Sequence, residues 1–112
     1  MRRTLLIIGL SALATACATG GGPGRAPGSA AERGQQFAYR ACAGCHAVGQ
    51  EAESRSANAP RFHDLRIRFT APSLERRLAE ISRQGHYEMP PVFISQDEAV
   101  DIAAYIESLG ER

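Results

Sequence analysis

Three stretches of this 112-residue chain carry apolar residues at helical spacing, and no stretch alternates as a strand would. The first spans residues 31–41. Ala30, Gly34, Phe37 and Ala41 recur there on one face, and Ser29 stands where an N-cap belongs. Glycine is costly inside a helix, so Gly34 implies a packing reason: without a side chain, another helix can cross closely. The second stretch spans residues 72–84. Pro72 suits a first turn, Leu74, Leu78 and Ile81 form a stripe, and Gly85 suits the stop. The third is the clearest. Ser95 and Glu98 have the spacing of a capping box. Ala99, Ile102, Ala103, Ile106 and Leu109 follow on one face with Tyr105 at its edge, and Gly110 ends the run. The expected fold class is all-α.

The segments outside these helices are as informative. Residues 18–29 are rich in Gly and Pro with almost nothing to bury, a linker composition. Residues 48–61 form a long polar stretch, which in a small domain needs a surface to pack on. At the start, Arg2 and Arg3 precede a short apolar run, residues 5–13, and then the small residues Ala14, Thr15 and Ala16. This is the pattern of a cleaved export signal. The run is well short of the roughly 20 apolar residues that a spanning helix needs. The expected organisation is a signal over residues 1–16, a tether over 17–29 and one helical domain over 30–112.

Charge adds little but excludes one class. The chain has 13 basic residues, all Arg, against 12 acidic ones. Such a balance lacks the basic stripe of a nucleic-acid binder. Removing residues 1–16 takes away Arg2 and Arg3 and no acid, leaving 11 Arg against 12 acidic residues and a formal charge of −1. Few aromatics and no Trp imply a thin core, and small domains of that kind usually need a staple such as a buried cofactor.

Cys42-Ala43-Gly44-Cys45-His46 supplies one, in the C-x-x-C-H form of c-type haem attachment. Two thiols add across the two vinyl groups on one porphyrin edge. The two residues between them let the chain turn so that both sulfurs reach that edge, and the next residue lies under the ring with its imidazole directed at iron. Other uses of the motif lack their context. A thioredoxin-like pair follows a strand and opens a helix, whereas this one closes a helix. Zinc would need two further ligands at short spacing, and only His63 and His86 remain. An iron–sulfur cluster usually takes four Cys, and the chain has three. His63 is expected to be a surface or structural histidine.

The sixth iron ligand must come from further along. Without residues 1–16 the chain has one methionine, Met89, in Gly85-His86-Tyr87-Glu88-Met89-Pro90-Pro91. Pro90 holds Met89 in extended geometry, so a loop between the second and third helices can present its thioether to the open face of the ring. His86 is the competing ligand and is read as a loop residue near the haem edge. Cys17 is left over. Residues 13–17, Leu-Ala-Thr-Ala-Cys, resemble a lipoprotein cleavage box, which would place a lipid anchor on Cys17.

From about Ala31 to the end, the chain resembles class I cytochrome c of the small bacterial type. The anchors are Gly34 with Phe37, the Cys42-to-His46 motif, Ala59-Pro60, Met89-Pro90, and the last helix with Tyr105. The resemblance implies a helical domain wrapped around one covalent haem c, with first and last helices crossing at Gly34 near Tyr105 and Ile106. It implies that the Pro60 carbonyl accepts the ring N–H of His46, fixing the imidazole. It also implies a one-electron carrier, not an enzyme, that is exported to the periplasmic side, monomeric, and served by a redox donor and a redox acceptor. An electron-transfer subunit of an oxidase or dehydrogenase and a ligand-binding haem sensor are the alternatives. The lysine ring with which mitochondrial relatives meet their partners is absent.

Overall fold

The computed structural model describes residues 26, 28–86 and 88–110. The expected export signal, Cys17 and most of the expected Gly/Pro tether lie outside these residues. Four helices follow in order: α1 (Ala30–Ala41), α2 (Phe62–Arg68), α3 (Ala71–Gln84) and α4 (Gln96–Ser108). None of them is long and apolar enough to cross a membrane.

Local chemistry sets the helix ends. At α1, Ser29 Oγ accepts the Glu32 N–H at 3.2 Å and Glu32 returns a carboxylate oxygen to the Ser29 N–H at 2.7 Å. Ser95 and Glu98 do the same at α4, at 3.3 and 2.8 Å. Each box satisfies N–H groups that a helix start otherwise leaves orphaned. At α3, Ser73 Oγ accepts the Thr70 N–H at 2.9 Å.

The α4 helix is the hub, packing chiefly on α1, then on α3, and more lightly on α2. Its buried arc is wider than the predicted stripe. Ala99, Ile102, Ala103 and Ile106 are buried, and so are Asp101 and Tyr105. Tyr105 is therefore not at an edge: it is 2% exposed, and its hydroxyl donates to the Val48 carbonyl at 2.7 Å. On α1 the buried residues are Gly34, Phe37 and Ala38, while Ala41 is exposed.

The close crossing at Gly34 is present, one turn earlier on α4 than expected. A β-carbon on Gly34 would overlap the Asp101 carbonyl and lie 2.9 Å from the Ile102 nitrogen. Beside it, Arg33 donates from Nε to Asp101 Oδ2 at 2.9 Å and from Nη2 to Oδ1 at 2.8 Å. Crossing and ion pair thus share one spot. Asp101 carries its charge there because a bidentate guanidinium compensates for lost water.

The α2 helix was not expected. It is one short segment with a single buried residue, Phe62, and no side-chain hydrogen bond at its cap. Isolated helices of this length are marginal in water, so packing makes this one. Phe62 is buried in the core beside Leu65 and Phe69, and Arg61 grips Asp64 by two bonds of 2.9 Å.

Candidate functional site

The segment after α1 continues its winding. The Cys42 N–H bonds to the Ala38 carbonyl at 2.8 Å, and the Cys45 and His46 N–H groups bond to the Cys42 carbonyl at 3.2 and 3.0 Å. This tight turn brings Cys42, Cys45 and His46 onto one wall. The polar stretch then folds back on the turn. Ser54 Oγ accepts the Ala47 N–H at 2.9 Å, the Ser56 N–H reaches the Cys45 carbonyl at 3.0 Å, and the Phe62 N–H reaches the Ala47 carbonyl at 2.9 Å. Arg61 adds a bond to the Ala52 carbonyl at 3.0 Å. Here is the packing surface that so long a loop requires.

His46 Nδ1 lies 2.8 Å from the Pro60 carbonyl oxygen. A carbonyl can only accept, so Nδ1 is the donor, and in the neutral imidazole Nε2 keeps its lone pair. The Phe62 ring lies 5.6 Å from the imidazole, tilted by 57°. Ring orientation and tautomer are both set by neighbours.

The wall opens on a cavity of about 620 Å³, within the roughly 300–1,000 Å³ typical of small-molecule and cofactor sites. Cys42, Cys45 and His46 line it, together with Ser56, Asn58 and Ala59. So do His86, Glu88, Met89, Pro90 and Val92, which follow α3. Every iron-binding or haem-binding residue singled out in the sequence faces this one space, save Pro60, which touches it through His46.

The segment after α3 is shaped by Gly85. Its φ of +60° and ψ of −162° belong to a region open essentially to glycine alone. A β-carbon there would overlap the Met89 carbonyl and lie 2.9 Å from Pro90 C and Pro91 N. Past it, the His86 N–H bonds to the Met89 carbonyl at 3.1 Å and the Met89 N–H to the His86 carbonyl at 2.8 Å. The sequence marks Gly85 only as a helix stop, and His86 as a loop residue near the haem edge and the competing ligand. The paired turn that puts both His86 and Met89 on the cavity was missed; the available signal was a glycine followed so soon by Pro90 and Pro91.

Electrostatics separate the two thiols. Burial pushes the Cys42 thiol up to about 11, whereas Cys45 is exposed. A redox-active C-x-x-C pair wants a lowered thiol, and Cys42 is shifted the other way. Burial, with the Arg77 charge adding to it, lowers His86 below the usual imidazole value. His63 is partly exposed beside Asp64, at 3.7 Å, away from the cavity lining. Among the described residues, no group of three or more His, Cys, Asp or Glu side chains could hold a metal ion unaided. The donor set fits haem instead: two thiols and an imidazole with a free Nε2 line one cavity, which has a thioether available elsewhere on its lining.

Residues 29–106 match the family described as cytochrome C oxidase, cbb3-type, subunit III. Over 79 residues the chain is 39% identical to cytochrome c-552 of Bradyrhizobium diazoefficiens, a stretch that covers 70% of this chain and 74% of that protein. No solved structure matches. The family agrees with the all-α fold. The chain carries haem c and its iron, and it transfers electrons to and from redox partners. It belongs to the cytochrome c family, in the branch described as subunit III of cbb3-type oxidase.

Proposed function

We propose that the protein is an exported one-electron carrier whose haem is bonded to Cys42 and Cys45 and whose iron is ligated by His46 and Met89. The observation that carries this reading is the shared cavity: His46, with its Nε2 lone pair left free by Pro60, and Met89 both line it. When bound, the haem iron supplies a site that takes up and gives back one electron.

The rest is the chain's own work. The Pro60 carbonyl holds the His46 ring and makes it more basic. Met89 offers a soft sulfur that favours the reduced state and raises the potential. Ala59, Pro90 and Val92 give the cavity apolar lining, beside the polar Ser56, Asn58 and Glu88. With His46 and Met89 both holding the iron, no position would be left for a substrate. The N-terminal pattern of Arg2, Arg3, a short apolar run and Cys17 supports export to the periplasmic side and a lipid anchor. A monomer on that tether could reach a donor and an acceptor in turn.

Absorption spectra of both oxidation states test the ligands. The ferric protein should show the weak red band of sulfur bound to iron, and Met89→Ala should lose it while keeping covalent haem and lowering the potential. The reduced wild type should exclude carbon monoxide. A wild type without the band, or a Met89→Ala protein that keeps it, refutes Met89 as the ligand.

The family description favours one alternative, a subunit held permanently in an oxidase. Mild detergent extraction of native membranes separates the two. A carrier migrates alone, and a subunit migrates with the other oxidase chains.

A further inference from the structure

The turn that delivers Met89 delivers a second donor with it. His86 and Met89 exchange both backbone hydrogen bonds, at 3.1 and 2.8 Å, as an isolated antiparallel bridge. Residues paired in this way stand about 5.5 Å apart at their Cα atoms and send their side chains to the same face. Both side chains accordingly line the cavity that His46 lines. The backbone of Gly85 passes close to Met89, Pro90 and Pro91, an approach that a β-carbon would block. Imidazole and thioether therefore approach the same space from the same turn.

We propose that His86 is a second iron ligand of this chain and exchanges with Met89 at the sixth position. The proposal rests on the His46 and Met89 reading above. Two donors of comparable reach on one turn compete for one coordination site, and the oxidation state of the metal decides between them. A thioether favours ferrous iron, while imidazole suits either state and loses less on oxidation. The reduced protein therefore holds Met89, and the oxidised protein divides between Met89 and His86. The exchange replaces a sulfur lone pair by a nitrogen lone pair and moves no electron. It needs side-chain rotation and a small shift of the turn, because neither donor has to be carried in from another element.

Its consequence is a carrier whose potential depends on which donor is bound. Electron uptake by the His86 form would be harder than by the Met89 form. Return to Met89 after reduction would then commit the electron to a higher-potential site.

The test uses the full-length holoprotein, whose haem stays attached through Cys42 and Cys45 in every variant. Electron paramagnetic resonance of the ferric wild type should show two low-spin species, only one accompanied by the red sulfur band. His86→Ala and His86→Gln should each leave one species with that band strengthened. Met89→Ala should remain low-spin. Its ferrous form should bind carbon monoxide about tenfold or more weakly than Met89→Ala/His86→Ala, as expected when the site is open in about one molecule in ten. The proposal is overturned if both His86 variants leave the spectra unchanged and Met89→Ala binds carbon monoxide as the double variant does. A wild type that lacks the sulfur band, is unaltered by Met89→Ala and opens on His86→Ala overturns the Met89 reading itself. Exchange would fall with it, but by a different signature.

Discussion

Replacing Gly34 by Ala adds one methyl group to α1 where α4 passes closest. That carbon would overlap the Asp101 carbonyl and sit 2.9 Å from the Ile102 nitrogen. Both neighbours are helix backbone, so no side chain can swing aside, and the helices must separate. Overpacking of this kind typically costs about 1–3 kcal/mol. Ala offsets part of this, since it is better than Gly inside a helix by about 0.8–1 kcal/mol. Separation would also stretch the adjoining Arg33–Asp101 pair, whose side chains are only 14% and 6% exposed. A buried pair depends on close geometry, so the upper part of the overpacking range applies and a net loss of about 1–2 kcal/mol is expected. For a domain of this size that lowers Tm by roughly 5–15 °C. The assay is thermal unfolding of the ferric holoprotein followed by far-ultraviolet circular dichroism, with the haem spectrum confirming unchanged ligands. The sign is decisive. At an uncrowded helix position the same substitution would raise stability, so an unchanged or higher Tm would refute the close crossing.

Other expected outcomes concern the cofactor and its tether. Cys42→Ala with Cys45→Ala should abolish covalent haem, so that acidic acetone extracts whatever haem remains. Gly85→Ala should displace the 86–91 turn, because Ala is strained at φ +60° and its methyl meets the Met89 carbonyl; the readout is loss of the red sulfur band with haem still attached. Cys17→Ser should release a membrane-associated protein into the soluble fraction. A wild type that fractionates as soluble when expressed with its own signal would rule the anchor out, since stable attachment takes more than one acyl chain.

What the sequence discloses is what local chemistry decides. Ser29 and Ser95 cap helices through residues only three positions away. The stripes of α3 and α4 repeat within single turns, and haem attachment needs its thiols and imidazole contiguous in the chain. The features that stay hidden depend on distant partners. Nothing near Arg33 announces Asp101, 68 residues away. Tyr105 looks marginal because periodicity places it beside the stripe, but α4 is covered on more than one side and the Val48 carbonyl comes from 57 residues away. The α2 helix has too few residues for a period to register, and its one buried side chain, Phe62, finds its place only in the assembled core. The pairing of His86 with Met89 is a backbone event, which side-chain patterns do not encode.

The two sides of the cavity are held by different means, and this bears on how the protein can vary. His46 is fixed by contiguity with Cys45, by the Pro60 carbonyl at 2.8 Å and by the Phe62 ring at 5.6 Å. The strand of loop carrying Pro60 is itself pinned by Ser54, Ser56 and Arg61 to the attachment turn. Loss of any one restraint leaves several others. Met89 has no comparable set. Its placement depends on two backbone bonds to His86 and on the close approach that Gly85 allows. Changes on the first side therefore tend to fail as lost cofactor or lost fold, because they break a linked structure. On the proposed ligand set, changes on the second would survive as a different ligand and a different potential, because haem would stay bonded to Cys42 and Cys45 whichever donor completed the iron.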